Sequence, residues 1–484
     1  MAEIIESNAA LKSQMEVSTV RFNLLTLSAK FYSYSLTPKA ESSTLSHNML
    51  VGVDASLIEC KRINIFRFIF HHHISMNKML VHNARFKMVK IKDSIETLSN
   101  INQLIKDLKF EIEILEISNS SLLLYDFGQK DVAQSIGRIQ AKFYNIRNQT
   151  DTQAEFPKYD SFQLSLYDYK MAIDSLHLLS FETLEASNDT MHIHNLTYFP
   201  KADKYRFTKL SGGNNKYHEL KINKITCTHP QLDTIIKKQK LLCTDIHFYK
   251  LDYTLFRDYR QEFECTGTLI PVEKQIAKLI GRFSQISLDN STFTYEALYP
   301  HNRLPAQIKF SGISAVMEND ASLGILKANI KTTIDPAINA NFELTAQYSG
   351  SDKWYEITAN AANFELKNLN PVWQLFSRNK YQEGRSTNLH IKTRGQNRKI
   401  NTKIIFNFEN LVLEPSFHHK LPIEKNVYTN LCEIDFPISR TSTSDQKKLN
   451  TYSYQFGENE YCEELLLWPQ VVVSGMQQIV KLNK

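Results

Sequence analysis

A chain of 484 residues with 42% apolar content is long enough for several domains or one extended architecture, and its scarcity of Gly (14) and Pro (13) excludes collagen-like, Pro-rich and linker-rich readings. Lys and Arg (57) nearly balance Asp and Glu (51), so a net charge of +6 spread over a large surface argues against the concentrated basic face of a nucleic-acid binder. Phe (28) and Tyr (22) far outnumber Trp (3), a composition suited to pleated, half-buried surfaces, and the expected class is mainly β.

From the amino end, Glu3, Glu6, Lys12 and Glu16 stand where a signal peptide would have a basic start and an apolar core, while the Ser13 and Glu16 spacing of a capping box predicts a helix within residues 1–20. The apolar run Ile63–Phe70 is interrupted by Arg67, and Leu465–Val473 contains Pro469, so both fall short of the ~20 residues a spanning helix needs. Ser94–Leu108 sets Ile95, Leu98, Ile101, Leu104, Ile105 and Leu108 on one helical stripe. Pro271–Ile280 is a second predicted helix, stopped by Gly281, and Asn370-Pro371 opens a third, Pro371–Arg378, that ends near Gly384.

An imperfect repeat joins Met79–Phe86, Leu115–Leu122, Ile225–Leu232 and Ile286–Phe293. Each copy alternates apolar and polar residues, reaches Asn83, Asn119, His229 or Asn290, and resumes with the apolar frame shifted by one. Asn tolerates left-handed backbone, so this position is expected to be a bulge or corner within a strand. The irregular spacing of the copies argues against a solenoid or propeller of fixed period.

Period-two alternation dominates the second half. Phe342, Leu344, Ala346 and Tyr348 face one way in Asn341–Tyr348, and the pattern recurs at Leu326–Ile330, Tyr355–Asn360, Leu389–Arg394 and Thr402–Phe408. Turn-forming clusters at Ser349–Asp352 and Arg394–Asn397 separate these segments, which predicts consecutive antiparallel strands in a meander rather than crossovers.

Motifs of chemistry are few. Ser75 with Lys78 and Ser377 with Lys380 match S-x-x-K without the partner motifs of acyl-enzymes. His71-His72-His73, His192 with His194, and His418-His419 offer paired ring nitrogens but no flanking Cys or carboxylate to complete a metal site, and read as solvated or edge-strand histidines. Carboxylates occupy the wet positions of alternating strands, and Lys237–Lys240 reads as a solvated turn. Cys60, Cys227, Cys243, Cys265, Cys432 and Cys462 form no C-x-x-C and read as buried small residues, with pairing among Cys227, Cys243 and Cys265 left open. No residue is expected to be catalytic, and no cofactor or metal is implied.

A long sheet with one continuous apolar face must hide that face, and the predicted helices are too few to cover it. A second sheet is one solution, and a curled groove is another. A groove lined by Phe, Leu, Ile and Tyr is a path for acyl chains, and strand phase selects Ile308, Phe310, Phe342, Leu344, Tyr348, Ile357, Leu389, Ile391, Ile404 and Phe406 as its lining.

Several segments resemble a known family. Phe364–Pro371, a short helix, Tyr381–Gly384 and a strand pair closing on Phe406–Leu411 are similar to the C-terminal region of the AsmA-like family of Gram-negative envelope proteins, the TamB and YhdP type. Leu288–Tyr295 followed by Leu304–Phe310 resembles that family's strand, loop and Pro-x-x-Ile-x-Phe unit, and Phe436–Arg440 with Leu467-Trp468-Pro469 and Ser474-Gly475 resembles the tails of Bacteroidetes-type members. The resemblance implies a repeating β-groove, phospholipid movement between inner and outer membranes, and a periplasmic, inner-membrane-associated location. Family members start with a transmembrane helix that this chain does not carry, so either a longer gene product or docking through a partner is expected. Thr402 and Lys403 replace the family's strand glycine.

The expected architecture is thus an elongated, curled antiparallel sheet of the β-groove type with a few short helices. It has an N-terminal segment at 1–60, the groove at 61–415 and a tail with a short helix at 416–484. Expected partners are phospholipid acyl chains, and membranes or membrane proteins at the ends, with no nucleic acid. A structural or adhesive β-sandwich without lipid is the alternative, and a glycan hydrolase with converging carboxylates is a second.

Overall fold

A computed structural model describes residues 13–38, 49–71, 73–90, 109–126, 131–147, 158–211, 216–230, 243–260, 283–298, 304–335, 337–349, 353–371, 380–396, 399–414, 434–439 and 449–454. The chain divides into two compact units, Met1–Thr197 with Lys224–Cys243, and Tyr198–Asn223 with Thr244–Lys484. Both are built mainly of β-strands.

The first unit holds β1 (Ser13–Asn23), β2 (Ser28–Pro38), β3 (Met49–Ile63), the short helix α1 (Ile65–His71), β4 (His73–Lys90), β5 (Lys109–Tyr125), β6 (Val132–Arg147), β7 (Ser161–Ala172) and β8 (His177–Ser187). These strands pair in chain order, all antiparallel except β4 with β5, which is parallel. Next in the chain come β9 (Thr190–Pro200), helix α2 (Lys204–Leu210) and β10 (Tyr217–Thr228).

The second unit continues with β11 (Asp245–Asp258), β12 (Gln285–Leu298), β13 (Ala306–Asp320), β14 (Ile325–Ile334), β15 (Ile338–Gln347), β16 (Trp354–Ala361), β17 (Phe364–Glu365), a 3-10 turn at Leu366–Leu369, β18 (Lys380–Gln396), β19 (Lys399–Glu414), β20 (Ile434–Ser439) and β21 (Leu449–Tyr454). Neighbours from β12 to β16, β16 with β18, β18 with β19, and β20 with β21 are antiparallel, whereas β11 with β12 and β19 with β20 are parallel.

Several expectations need correction. The described part of the N-terminal twenty residues is strand, not helix: Ser13–Asn23 pairs residue for residue with β2. Val17, Thr19, Val20 and Phe22 favour a pleated strand, and this outweighs a four-residue capping pattern. The sheets are not a pure meander either. Parallel neighbours need a crossover, and the segments linking β4 to β5 and β11 to β12 are where helices are expected at Ser94–Leu108 and Pro271–Ile280, outside the described residues. The expected boundary at 60/61 falls inside β3, where Cys60 pairs with Met79 and Lys61 with Lys78. Part of the expected tail joins the sheet, since β20 pairs with β19. The helix expected at Pro371–Arg378 begins at Asn370 and Pro371, and the rest lies outside the described residues.

The expected kinks are present. Asn83 (φ 51), Asn119 (φ 49), His229 (φ 48) and Asn290 (φ 48) are all left-handed, His229 at the end of β10 and the others within strands. In β4 the pleat changes phase there: Met79 and Val81 before the kink, and Ala84 and Phe86 after it, share one cluster. The parallel pairs β4–β5 and β11–β12 align their kinks. Asn83 stands beside Asn119, whose Nδ2 donates to Asn83 Oδ1 at 2.5 Å, and Lys250 (φ 51) stands beside Asn290.

A serine follows Asn119 and Asn290 and plays the same part in both units. Ser120 Oγ accepts from Ala84 N at 3.0 Å and donates to the Ser118 carbonyl at 3.1 Å, while Ser291 Oγ accepts from Leu251 N at 3.2 Å and donates to the Asp289 carbonyl at 3.1 Å. In the first unit the seam continues through left-handed Ser33 and Asp168. Asp168 faces Gly137, where a Cβ would lie 2.9 Å from Asp168 Cβ, so only glycine fits this close approach.

Candidate functional site

Direct cross-strand partners share a face of a sheet, so the pairing register traces the apolar side of each unit. In the second unit one row runs Phe248, Leu288, Ala315, Ile330, Phe342, Ala359, Ile391 and Ile404, from β11 through β12–β16 and β18 to β19. At ~4.8 Å per strand spacing this is a track of roughly 34 Å perpendicular to the strands. A parallel row runs Ile246, Ile286, Met317, Ala328, Leu344, Ile357, Thr393 and Thr402.

All the phase-selected residues fall on this face. Phe342, Ile391 and Ile404 lie in the first row, and Leu344 and Ile357 in the second. Leu389 pairs with Phe406, and Phe310 pairs with Ile334 of β14, two residues beyond Ile308. Tyr348 packs with Leu326, Ala346 and Tyr355. Ile308, Leu389, Ile391, Ile404 and Phe406 are buried, whereas Phe310, Phe342, Leu344, Tyr348 and Ile357 are half-buried.

Polar groups on this face are satisfied locally, as burial demands. The hydroxyls of Thr393 and Thr402, both fully buried, lie 3.0 Å apart. The Tyr355 ring lies across Gly395, where a Cβ would come within 2.1 Å of Tyr355 Cε1.

The first unit repeats the pattern. Phe31, Ile58, Val81, Ile117, Ala141, Leu164 and Ala186 form one row from β2 to β8, and Leu36, Val53, Phe86, Leu122, Ile136, Tyr169 and Phe181 form another. Tyr169 stacks on Phe181 with centroids 4.4 Å apart, accepts from Gln134 Nε2 at 3.2 Å, and has its hydroxyl pKa raised by burial. The opposite face carries ion pairs, among them Lys78 with Glu116, Lys87 with Asp54 at 3.2 Å, and in the second unit Lys392 with Glu356 at 2.9 Å. The Ser35 hydroxyl, then Lys87, holds the Asp54 carboxyl below the usual range against its partial desolvation.

Among the described residues, each strand's extended contacts are with its sheet neighbours, supplemented by α1 on β4, α2 on β11 and the 3-10 turn on β18.

Of the histidines expected in solvent or on edges, His192 is engaged: its Nδ1 lies 3.2 Å from Thr226 Oγ1, and desolvation, then Lys224 and His194, lower its pKa; His72, His418 and His419 lie outside the described residues. No group of three His, Cys, Asp or Glu is gathered for a metal among the described residues. Cys60, Cys227 and Cys243 are all buried, and Cys227 is in contact with Cys243.

An aromatic ladder has no signature in the sequence. His218, Tyr253, Phe293 and Phe310 stack in turn across β10 to β13, with centroid distances of 6.0, 5.6 and 5.9 Å, and His218 Nδ1 lies 2.6 Å from the Tyr253 hydroxyl. Strand phase selects only Phe310 of these, because the ladder joins positions far apart in the chain. No family model and no curated protein matches the chain.

Proposed function

We propose that the chain is a non-enzymatic lipid-binding protein of the cell envelope, in which acyl chains lie along the apolar rows of its sheets and move between inner and outer membranes. The observation that carries this reading is the run from Phe248 to Ile404, apolar at every strand and half-buried at Leu288, Ile330 and Phe342. Apolar surface of this extent needs a cover, and a lipid tail supplies one without requiring any charge or hydrogen bond. The kinks support a groove: the strands that carry a left-handed residue, β4, β5, β11 and β12 among them, bend there, and the small side chains of Ala55 and Ala84 sit where apolar groups from both arms of the bend meet. The resemblance to the AsmA-like family supports a periplasmic, inner-membrane-associated location, with membranes or membrane proteins at the ends.

The test is lipid extraction and mass spectrometry of the purified full chain. Leu344→Asp and Phe310→Asp are expected to abolish the bound lipid while the far-ultraviolet circular dichroism stays that of the parent, and Lys327→Asp on the opposite face is expected to retain it. Equal lipid in the parent and both apolar-face variants, or none in any of them, overturns the proposal and favours a structural or adhesive β protein.

A further inference from the structure

The end of the first unit formed by the β1–β2 turn and α1 presents its apolar residues outward. Leu25 is 97% exposed, Leu24 72%, Phe66 76% and Phe70 70%, with Phe22 and Ile69 also exposed. This is not loose chain. Asn23 Oδ1 accepts from Leu25 N at 2.9 Å and Thr26 N at 3.2 Å, which holds the turn, and Asn64 Oδ1 accepts from Arg67 N at 3.0 Å at the start of α1. The turn and the helix are tied together by the Ile63 N–H, which donates to the Leu27 carbonyl at 2.9 Å. A soluble surface does not ordinarily group large apolar side chains at a protrusion.

Cations rim the tip. Arg21, Lys30, Lys61, Arg62 and Arg67 stand there against Glu59 and Glu111, and Lys30 and Lys61 lie 3.1 and 3.4 Å from Glu59 while Arg67 lies 2.8 Å from Glu111. Leucine and phenylalanine at a narrow tip with a surplus of Arg and Lys behind them is the arrangement that inserts into the acyl boundary while cations meet anionic headgroups. The same surplus argues against a second copy as the occupant, because pairing two tips would bring their arginines together.

We propose that the β1–β2 turn and α1 form a docking site for an anionic lipid bilayer, with Leu24, Leu25, Phe66 and Phe70 as the inserting residues. This rests on the tip alone and goes beyond the binding of lipid tails by the sheets.

The test is co-sedimentation of the full chain with vesicles of phosphatidylcholine, alone or mixed with phosphatidylglycerol. The parent is expected to bind the mixed vesicles more tightly. Leu25→Asp, and Phe66→Asp combined with Phe70→Asp, are expected to weaken that binding roughly tenfold or more, Leu25→Met to preserve it, and Arg21→Glu with Arg62→Glu to remove the preference for phosphatidylglycerol. Parent protein that does not sediment, aspartate variants that sediment like the parent, or self-association that Leu25→Asp abolishes in a protein indifferent to vesicles each overturn the proposal. The two proposals fail separately: protein that binds vesicles but carries no extractable lipid sinks only the acyl-chain reading, and protein that carries lipid but ignores vesicles sinks only the docking site.

Discussion

The Ser120 hydroxyl bridges two parallel strands by accepting the Ala84 N–H at 3.0 Å beside a kink, and Ser291 holds the Leu251 N–H in the same way in the other unit. Both serines are essentially without solvent access, so removing the hydroxyl leaves a buried N–H with no replacement partner from water. Ser120→Ala and Ser291→Ala are each expected to destabilise the chain by ~1–3 kcal/mol. Urea unfolding checks this, and an unchanged midpoint for both variants contradicts it.

The kinks themselves make a second prediction. At φ 48 a β-branched residue is strained, whereas Gly and Asn accept the conformation, so Asn290→Val is expected to cost ~1–2 kcal/mol and Asn290→Gly much less. Lys250, at φ 51 without the local hydrogen bonding of an Asn side chain, is expected to tolerate Asn and Gly and to reject Val. Thermal unfolding of these variants gives the order, and Val ranking level with Gly at either site refutes it.

How much of the fold and the apolar track is legible in the sequence follows from the range over which each signal acts. The alternation of Phe342, Leu344 and Ala346 is a property of neighbours, so the strands of the second unit and their shared face are readable. The kinks at Asn83, Asn119 and Asn290 are readable because Asn announces left-handed backbone. Those at Lys250, Ser33 and Arg62 are not, since nothing in these residue types favours that conformation and at Lys250 the aligned partner strand carries the informative Asn. Parallel pairing is invisible for a related reason: the register of Lys109–Tyr125 depends on a strand reached only after a long connection. The exposed tip requires Leu25 and Phe66 to be brought together by a hydrogen bond from Ile63 to Leu27.

Gly395 is irreplaceable for want of space. A Cβ there would overlap the Tyr355 ring, which is 3% exposed and packed against Leu326 and Ala346, so the ring has nowhere to retreat. Gly395→Ala is expected to cost ~1–3 kcal/mol through overpacking. In the background of Tyr355→Ala the same change is expected to cost much less, a coupling that a double-mutant cycle measures. Equal costs in both backgrounds exclude the ring as the cause.

The buried thiols predict a pattern of chemical protection. Burial, then the neighbouring Glu59 charge, pushes the Cys60 thiol up to about 11, and contact with Cys243 together with burial pushes Cys227 up. Since the thiolate is the reacting species, native protein treated with iodoacetamide at pH 8 is expected to leave Cys60, Cys227 and Cys243 unmodified, with all three labelled after unfolding in urea. Peptide mapping by mass spectrometry reads both states, and rapid native labelling at Cys227 contradicts the packing described.

Acid behaviour turns on Asp258, whose side chain is only 2% exposed and whose partner is two residues away. Asp258 Oδ1 accepts from Arg260 N and Nε at 3.0 and 2.9 Å, and Oδ2 accepts from the guanidinium Nη2 at 2.7 Å. These bonds hold the Asp258 carboxyl below its ordinary range despite desolvation, which acts the other way. A carboxyl depressed in the folded state binds its proton more readily when unfolded, so its stabilisation is complete above the unfolded pKa of ~3.9 and is lost as pH falls through the lower folded value. Asp258→Asn is therefore expected to cost ~1.5–3 kcal/mol at pH 7, the range for hydrogen bonds to a charged group. The difference from the parent is expected to stay constant down to about pH 5 and shrink below pH 4. Urea unfolding from pH 7 to pH 3 provides the comparison; a gap that widens on acidification reverses the sign of the argument and excludes the Arg260 pairing as its source.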